Sequence, residues 1–332
     1  MRTMARRLVQ LVVVVILATL FTFSLLRLFP GDIADAVLPL GTKEQKQQFV
    51  EDNGLDKPFF EQYATWLGNL VQGDFGKDYQ SNTPVADKLQ TALPVSLQLM
   101  LYAQIIALVI AIPLGVFTAY RSGTRSDRSI NAGAFALLAL PSFVLALALA
   151  YWVGVKWKPD LPILGQIPVS GYEPGWMEAI FGAPTGDLAK HFATMLLPAI
   201  ALAAGLIAVY MRLLRSDMIA TLQQDFILMA KAKGITNRRI LWRHALRPSS
   251  LTLMTVAGLN VGALIGGTVV IEVIFGLPGM GTLLYTAIAE RQFVMLQSLV
   301  VVIAIAYVLV NVIIDILYSI LDPRLRHARV IT

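Results

Sequence analysis

Six apolar stretches constrain this chain more than any other feature. They cover 8–29, 97–120, 130–155, 192–211, 251–275 and 294–321. A helix of about 20 apolar residues crosses the hydrocarbon core of a bilayer. Lipid offers the backbone no hydrogen-bond partners, so stretches of this length read as helices. The expectation is an all-α integral membrane protein with six transmembrane helices. Pro141 lies in the third span and Pro198 in the fourth. Neighbouring helices can satisfy the carbonyls that a proline leaves free. The first span follows Arg2, Arg6 and Arg7, as a signal peptide would. It is longer than a signal's apolar core and no small-residue cleavage site closes it, so it reads as a retained helix.

Composition agrees. Only 14% of the 332 residues are charged and 56% are hydrophobic, against about 25% charged in soluble domains. The absence of cysteine excludes disulfides, thiol nucleophiles and cysteine-ligated zinc. His191, His244 and His327 lie far apart, and no HExxH, GxSxG or GxxxxGK[ST] pattern occurs. No metal site, bound cofactor or catalytic residue is therefore expected in this chain. The net charge of +6 suits loops at the inner membrane surface, where Lys and Arg accumulate. Nucleic-acid binding is excluded because no aromatic platforms interleave with the basic residues. With the N-terminus inside, the inner segments hold 17 of the 27 Lys and Arg residues and the longer outer segments hold 9. Both termini are then cytoplasmic.

Residues 1–29 form the N-terminal tail and first helix, 30–96 a small extracytoplasmic helical cap, and 97–332 the core domain. In the cap, Thr42 with Gln45 fits a capping box, and Asn53-Gly54 fits a helix stop. Pro58 can open a second helix with Phe59, Tyr63, Trp66, Leu67 and Leu70 on one face. Thr83-Pro84 can begin a third, with Val85, Ala86 and Leu89 inward. The cap carries ten Asp and Glu against five Lys. It suits a docking surface or lid, and its aromatic stripe suits packing. The outer loop 156–191 is rich in Pro and Gly and reads as irregular. A short interfacial helix at Trp176, Met177, Ile180 and Phe181 is the exception, and no chemistry is expected there.

The inner stretch FILMAKAKGITNRRILWRHALRP, residues 226–248, combines a dense basic block with a central Gly234. Helix formers precede the glycine, which can stop a helix in the left-handed conformation. Thr236 or Asn237 can cap a second helix running to His244 or Ala245, and Pro248 suits the first turn of the fifth span. A loop serving only to hold positive charge inside needs neither caps nor apolar anchors, so this segment reads as a docking site for another protein. The residues expected to make the contact are Phe226, Met229, Ala230, Ala232, Gly234 and Ile235.

AKAKGITNRRILWRHALRP resembles the EAA-type coupling motif of bacterial ABC importer permeases, with the motif glycine at Gly234. FPGD after the first span, GLDKPFFEQYATWLGNLVQGDFG in the cap, IEVIFGLPGMGTLLYTAI and NVIIDILYSILDPRLR follow the same family in order. The branch most resembled is the dipeptide/oligopeptide/nickel permease family, over essentially the whole chain. One departure is the missing initial acid of the motif, since Met229 and Lys231 flank Ala230. The resemblance implies a type I ABC importer transmembrane domain in a bacterial inner membrane, with a coupling segment at 215–248. It also implies a second homologous permease, two ATP-binding cassette ATPases that hold ATP and magnesium, an extracytoplasmic binding protein and a peptide cargo. Nickel or another small solute is the alternative cargo. A stand-alone secondary transporter is disfavoured by the lack of internal repeats and the scarcity of mid-span charge. An intramembrane enzyme is disfavoured by the lack of a nucleophile–base set.

Three further features stand in the spans. Gly258, Gly262 and Gly266 recur every four residues, beside Gly267, a spacing that lets helices approach closely. They fit a partner-permease interface, a moving gate or ordinary packing. Glu272 fits an outer gate or a rim salt bridge. Asn311 and Asp315, one turn apart, share a face of the sixth span. An acid in the membrane needs a partner, and Arg212 or Arg215 is the expected one.

Overall fold

A computed structural model describes residues 12–24, 33–79, 82–156, 167–180 and 185–321, the side chains of 36, 155 and 313–321 excepted. It is helical throughout these residues, with one isolated bridge between Lys77 and Pro84. The chain divides into two compact units, residues 1–94 with 278–309 and residues 95–277 with 310–332.

The first unit contains α1 (Val12–Ser24), α2 (Ile33–Val37), α3 (Lys43–Asp52) and α4 (Phe59–Val71). Thr42 forms the expected capping box with Gln45. Gly54, at φ 62°, ends α3, and the Leu55 amide donates back to the Val50 carbonyl at 2.9 Å. The aromatic stripe of α4 turns inward onto α1. Phe23 meets Phe59, Tyr63 and Trp66 at centroid distances of 5.3, 5.5 and 5.8 Å, and the Tyr63 hydroxyl bonds Thr19 Oγ1 at 2.8 Å. The stripe is packing. A core of Val85, Leu89, Ala92, Met280, Ala287, Met295 and Leu299 completes the unit, with α13 (Met280–Ala289) and the start of α14 (Phe293–Leu321).

No third cap helix stands apart. It is continuous with the second span as α5 (Val85–Tyr120), 36 residues without a break at residue 96. Helix-compatible residues fill that junction, and Pro94 does not end the helix.

In the second unit, α6 (Arg125–Ala139) and α7 (Ser142–Tyr151) replace the single third span expected over 130–155. They meet at a bend of 99°. The cause is Pro141, which disfavours helical geometry at the residue before it. Leu140 is extended at φ −90°, ψ 119°. A π turn, Trp152–Lys156, follows, then α8 (Trp176–Ile180), α9 (Leu188–Leu222), α10 (Asp225–Ala232), α11 (Asn237–Arg239) and α12 (Leu246–Phe275). Pro198 is absorbed within α9. Gly276, left-handed at φ 64°, ends α12, and the Leu277 amide donates to the Glu272 carbonyl at 2.9 Å.

The core of this unit is rich in alanine: Ala103, Ala107, Ala199, Ala201, Ala203 and Ala208 are fully buried. Small side chains let helix backbones close on one another where lipid supplies no hydrophobic drive. α9 is the centre, packed by α6, α7 and α12. Among the described residues, four helices are long and apolar enough to cross a membrane, five if the bent α6–α7 pair is one span. The remaining expected span, 8–29, is represented by the 13-residue α1; its flanks lie outside the described residues.

Candidate functional site

The glycine-centred segment folds as a short helix, a left-handed stop and a second helix. α10 carries Asp225 in its first turn and Lys231 in its last, each complementing the helix dipole. Gly234 has φ 75°. Its amide donates to the Lys231 carbonyl at 2.9 Å, and the Ile235 amide donates to the Ala230 carbonyl at 3.2 Å. These two bonds make a complete Schellman stop.

Thr236 occupies the expected N-cap position, extended at ψ 145°, without a side-chain bond. Asn237 Nδ2 instead donates to the Tyr120 hydroxyl at 3.4 Å. The second helix does not end at His244 or Ala245. It runs through a π turn, Ile240–Ala245, into α12, giving one helical path over Asn237–Phe275. The wider turn lies just before Pro248, where a proline ring clashes with the carbonyl four residues back in a regular α-helix.

The faces of α10 are sharply divided. Ile227 and Ala230, three residues apart, are buried in the core of their own unit with Ile240 and Ala245. Phe226, Leu228 and Met229 are exposed by 41, 56 and 59%. Ala232 and Gly234 are also exposed, and a Cβ on Gly234 would meet nothing within 4 Å. Of the six expected contact residues, Phe226, Met229, Ala232 and Gly234 face outward, Ile235 is half-buried, and Ala230 faces inward as support. Leu228 was missed. Its helical position beside Met229 was the available signal.

The base of the segment is pinned to the helices above it. Ser249 Oγ lies 2.8 Å from Thr221 Oγ1 and 2.9 Å from the Ala245 carbonyl oxygen. Six residues before Thr221 on α9, Arg215 grips Asp127 in a two-pronged pair, Nε to Oδ1 at 2.8 Å and Nη2 to Oδ2 at 2.7 Å. Asp127 also accepts from the Gly123 amide at 2.9 Å and from Asn131 Nδ2 at 2.7 Å. It is only 4% exposed at the side chain, and its charge is matched by these donors. The pair ties the α5–α6 loop to α9, directly above the segment that carries α10.

This pairing changes the expectation for Asp315. Arg215 is engaged by Asp127, and the Arg212 guanidinium lies 4.1 Å from the Phe135 ring centre. The Asp315 side chain lies outside the described residues, and Asn311 is half-buried on α14. Glu272 is fully buried and accepts from Ser96 Oγ at 2.6 Å. It therefore does not stand at an open rim. On α12, Gly258 and Gly262 are half-buried and Gly266 is exposed. A Cβ on Gly266 would meet nothing, whereas one on Gly267 would come 3.1 Å from Leu202 Cδ1. The chain packs Gly267 itself and leaves the Gly266 side open.

A polar lock between α7 and α9 escaped the sequence. Glu178 is buried and accepts from the Gly175 amide at 2.8 Å, from Gln98 Nε2 at 2.7 Å and from the Tyr172 hydroxyl. Burial first, then the bond to Glu178, holds the Tyr172 phenol well above the usual range. His191, fully buried, donates from Nδ1 to the Glu173 carbonyl at 2.7 Å, so its Nε2 accepts from the Tyr102 hydroxyl at 3.0 Å. Trp176 Nε1 donates to that hydroxyl at 2.9 Å. The irregular described stretch 167–175 is thus fastened to α5 and α9 by side chains.

With this geometry in hand, residues 111–327 match the family described as binding-protein-dependent transport system inner membrane component. The chain belongs to that family. Residues 1–100 match its N-terminal companion. Among similar permeases, the oligopeptide transport system permease protein AppB of Bacillus subtilis is 36% identical, covering 97% of this chain and 98% of its own. The di/tripeptide transport system permease protein DppB of Pseudomonas aeruginosa is 33% identical, with 98% of each chain covered. The dipeptide transport system permease protein DppB of Escherichia coli K12 is 32% identical, with 94% of each covered. The family match covers residues 215–248 in full, and placement in the bacterial inner membrane follows from it.

Proposed function

We propose that this chain is the membrane-spanning permease subunit of an ATP-driven peptide importer, and that α10 receives force from a cytoplasmic ATPase. The observation that carries the reading is the divided α10: an apolar outer face formed by Phe226, Leu228 and Met229 on a helix whose inner face, Ile227 and Ala230, is embedded in the spanning core. A displacement applied to that outer face passes into α9 and α12 without a flexible joint. Ala232 and Gly234 keep the adjoining surface low, and Ile235 completes the seat.

The names of the relatives, oligopeptide, di/tripeptide and dipeptide permeases, support peptide over nickel as the cargo. In this reading both termini are cytoplasmic and six helices span the bilayer. A second homologous permease forms the other half of the pathway, against the open side of Gly258, Gly262 and Gly266. Two ATP-binding cassette subunits supply ATP and magnesium chemistry, and an extracytoplasmic binding protein delivers the peptide. Glu272, held by Ser96, steadies the outer end of α12. Asn311 and Asp315 form a polar face on α14. The chain itself performs no catalysis.

The test is reconstitution of this chain with a second permease, two ATPases and a binding protein in lipid vesicles. Di- and tripeptides should stimulate ATP hydrolysis and accumulate inside. Stimulation by nickel alone, or by no peptide, would overturn the assignment.

A further inference from the structure

The spanning helices carry an amide that the coupling segment does not use. Asn260, on α12, lies beside Tyr210 on α9. The Tyr210 hydroxyl donates to Gln104 Oε1 on α5 at 3.1 Å. Gln104 Nε2 in turn reaches the carbonyl oxygen of Ala257 at 3.4 Å, one turn before Asn260. Tyr210 is fully buried, while Asn260 is only half-buried. A polar network thus joins α5, α9 and α12 beside one partly open amide.

That amide lines a cavity of about 160 Å³ between the α6–α7 bend, α9 and α12. Its walls combine leucines with small residues, among them Ala204 and Gly205 on α9 and Ala263 and Gly267 on α12, and Leu140 stands at the bend. A Cβ on Gly205 would enter open space. The volume holds about five waters at ~30 Å³ each.

We propose that Asn260 and this cavity form a subsite for the peptide backbone on the transport path, an inference that rests on the peptide-importer reading. A carboxamide offers one acceptor and two donors, the complement of a peptide bond. It therefore recognises any peptide without reading its side chains. Polar groups inside a membrane are costly unless paired, so a held amide facing an alanine–glycine cavity suits a guest that brings its own unpaired amides. A helix of another subunit brings backbone groups already bonded within itself. The small residues among the leucines leave room for a backbone, and the bend before Pro141 forms one side of the cavity.

The chain contains no cysteine, so Ala263→Cys introduces its single thiol. The reconstituted importer should react at that thiol with a water-soluble methanethiosulfonate during turnover, and transported di- and tripeptides should slow the reaction about tenfold. Leu259→Cys, exposed and off the cavity, should show no such protection. Asn260→Leu should raise the KM for uptake about tenfold for peptides of unlike side chains, and Asn260→Gln should recover part of the loss.

Equal modification rates with and without peptide would overturn the subsite. So would an Asn260→Leu complex with an unchanged KM. An Asn260→Leu chain that no longer co-purifies with the second permease would assign the cavity to that subunit and overturn the proposal. If no peptide stimulates ATP hydrolysis by the unaltered complex, the importer reading falls and takes the subsite with it. Stimulated hydrolysis with an unprotected Ala263→Cys rejects the subsite alone.

Discussion

Replacing Gly234 tests whether the stop of α10 is a conformational requirement or a matter of space. Gly234 sits at φ 75°, yet a Cβ there would meet no atom within 4 Å. Within the chain steric bulk therefore contributes nothing, and backbone strain is the cost that remains. Left-handed geometry costs an L-residue roughly 1–2 kcal/mol, with β-branched residues at the upper end and Asn tolerant. The two Schellman bonds, from the Gly234 and Ile235 amides, are lost if the residue relaxes. α10 is eight residues long, and helices that short are marginal without tertiary support. A strain of about 2 kcal/mol lowers the population of the formed stop about thirtyfold. The expected order of ATP-driven uptake in reconstituted vesicles is Gly, then Asn, then Ala, then Val, with Val near background. Membrane insertion, measured by the yield of folded chain in detergent, should be unchanged across the series. Uptake by Gly234→Val at the unaltered rate would refute the reasoning. So would Asn as damaging as Val, which would point to bulk.

Two further substitutions probe the supports. Asp127→Ala leaves the Arg215 guanidinium without its partner and should cost about 3 kcal/mol in thermal unfolding, while the double change Asp127→Ala with Arg215→Met should recover most of that loss; equal losses would show that the pair is not coupled. Gly175→Ala would place a Cβ 2.3 Å from Gln98 Oε1 and 2.5 Å from His191 Cε1, so the outer loop should loosen and become sensitive to protease between residues 156 and 191. An unchanged cleavage pattern would show that the loop does not depend on this packing.

Much of the architecture was legible because lipid leaves the sequence few options. Apolar length located the long helices, and the Thr42 capping box and the Gly54 and Gly234 stops follow from local backbone chemistry. What escaped depends on geometry across the chain. Pro141 was visible, but whether a proline is absorbed, as Pro198 is in α9, or bends the path by 99°, depends on what packs around it. The end of the second coupling helix was misplaced because Pro248 invites a break that a π turn avoids. Asp127 lies 88 residues from Arg215, so nothing local announces their pairing. Ala230 reads as a small contact surface in sequence, and only the packing of Ile227 and Ile240 turns it inward. The lock of Glu178, His191 and Tyr102 joins a loop to two helices and leaves no periodic trace.

The central claim is that the outer face of α10 is seated on an ATPase and moves with it. Because the chain lacks cysteine, Met229→Cys gives its only thiol on that face. In the assembled importer, a short bifunctional maleimide should join Met229→Cys to an ATPase subunit, and the joined complex should lose peptide uptake. No product with either ATPase, or peptide accumulation by vesicles holding this chain without ATPases, would contradict it.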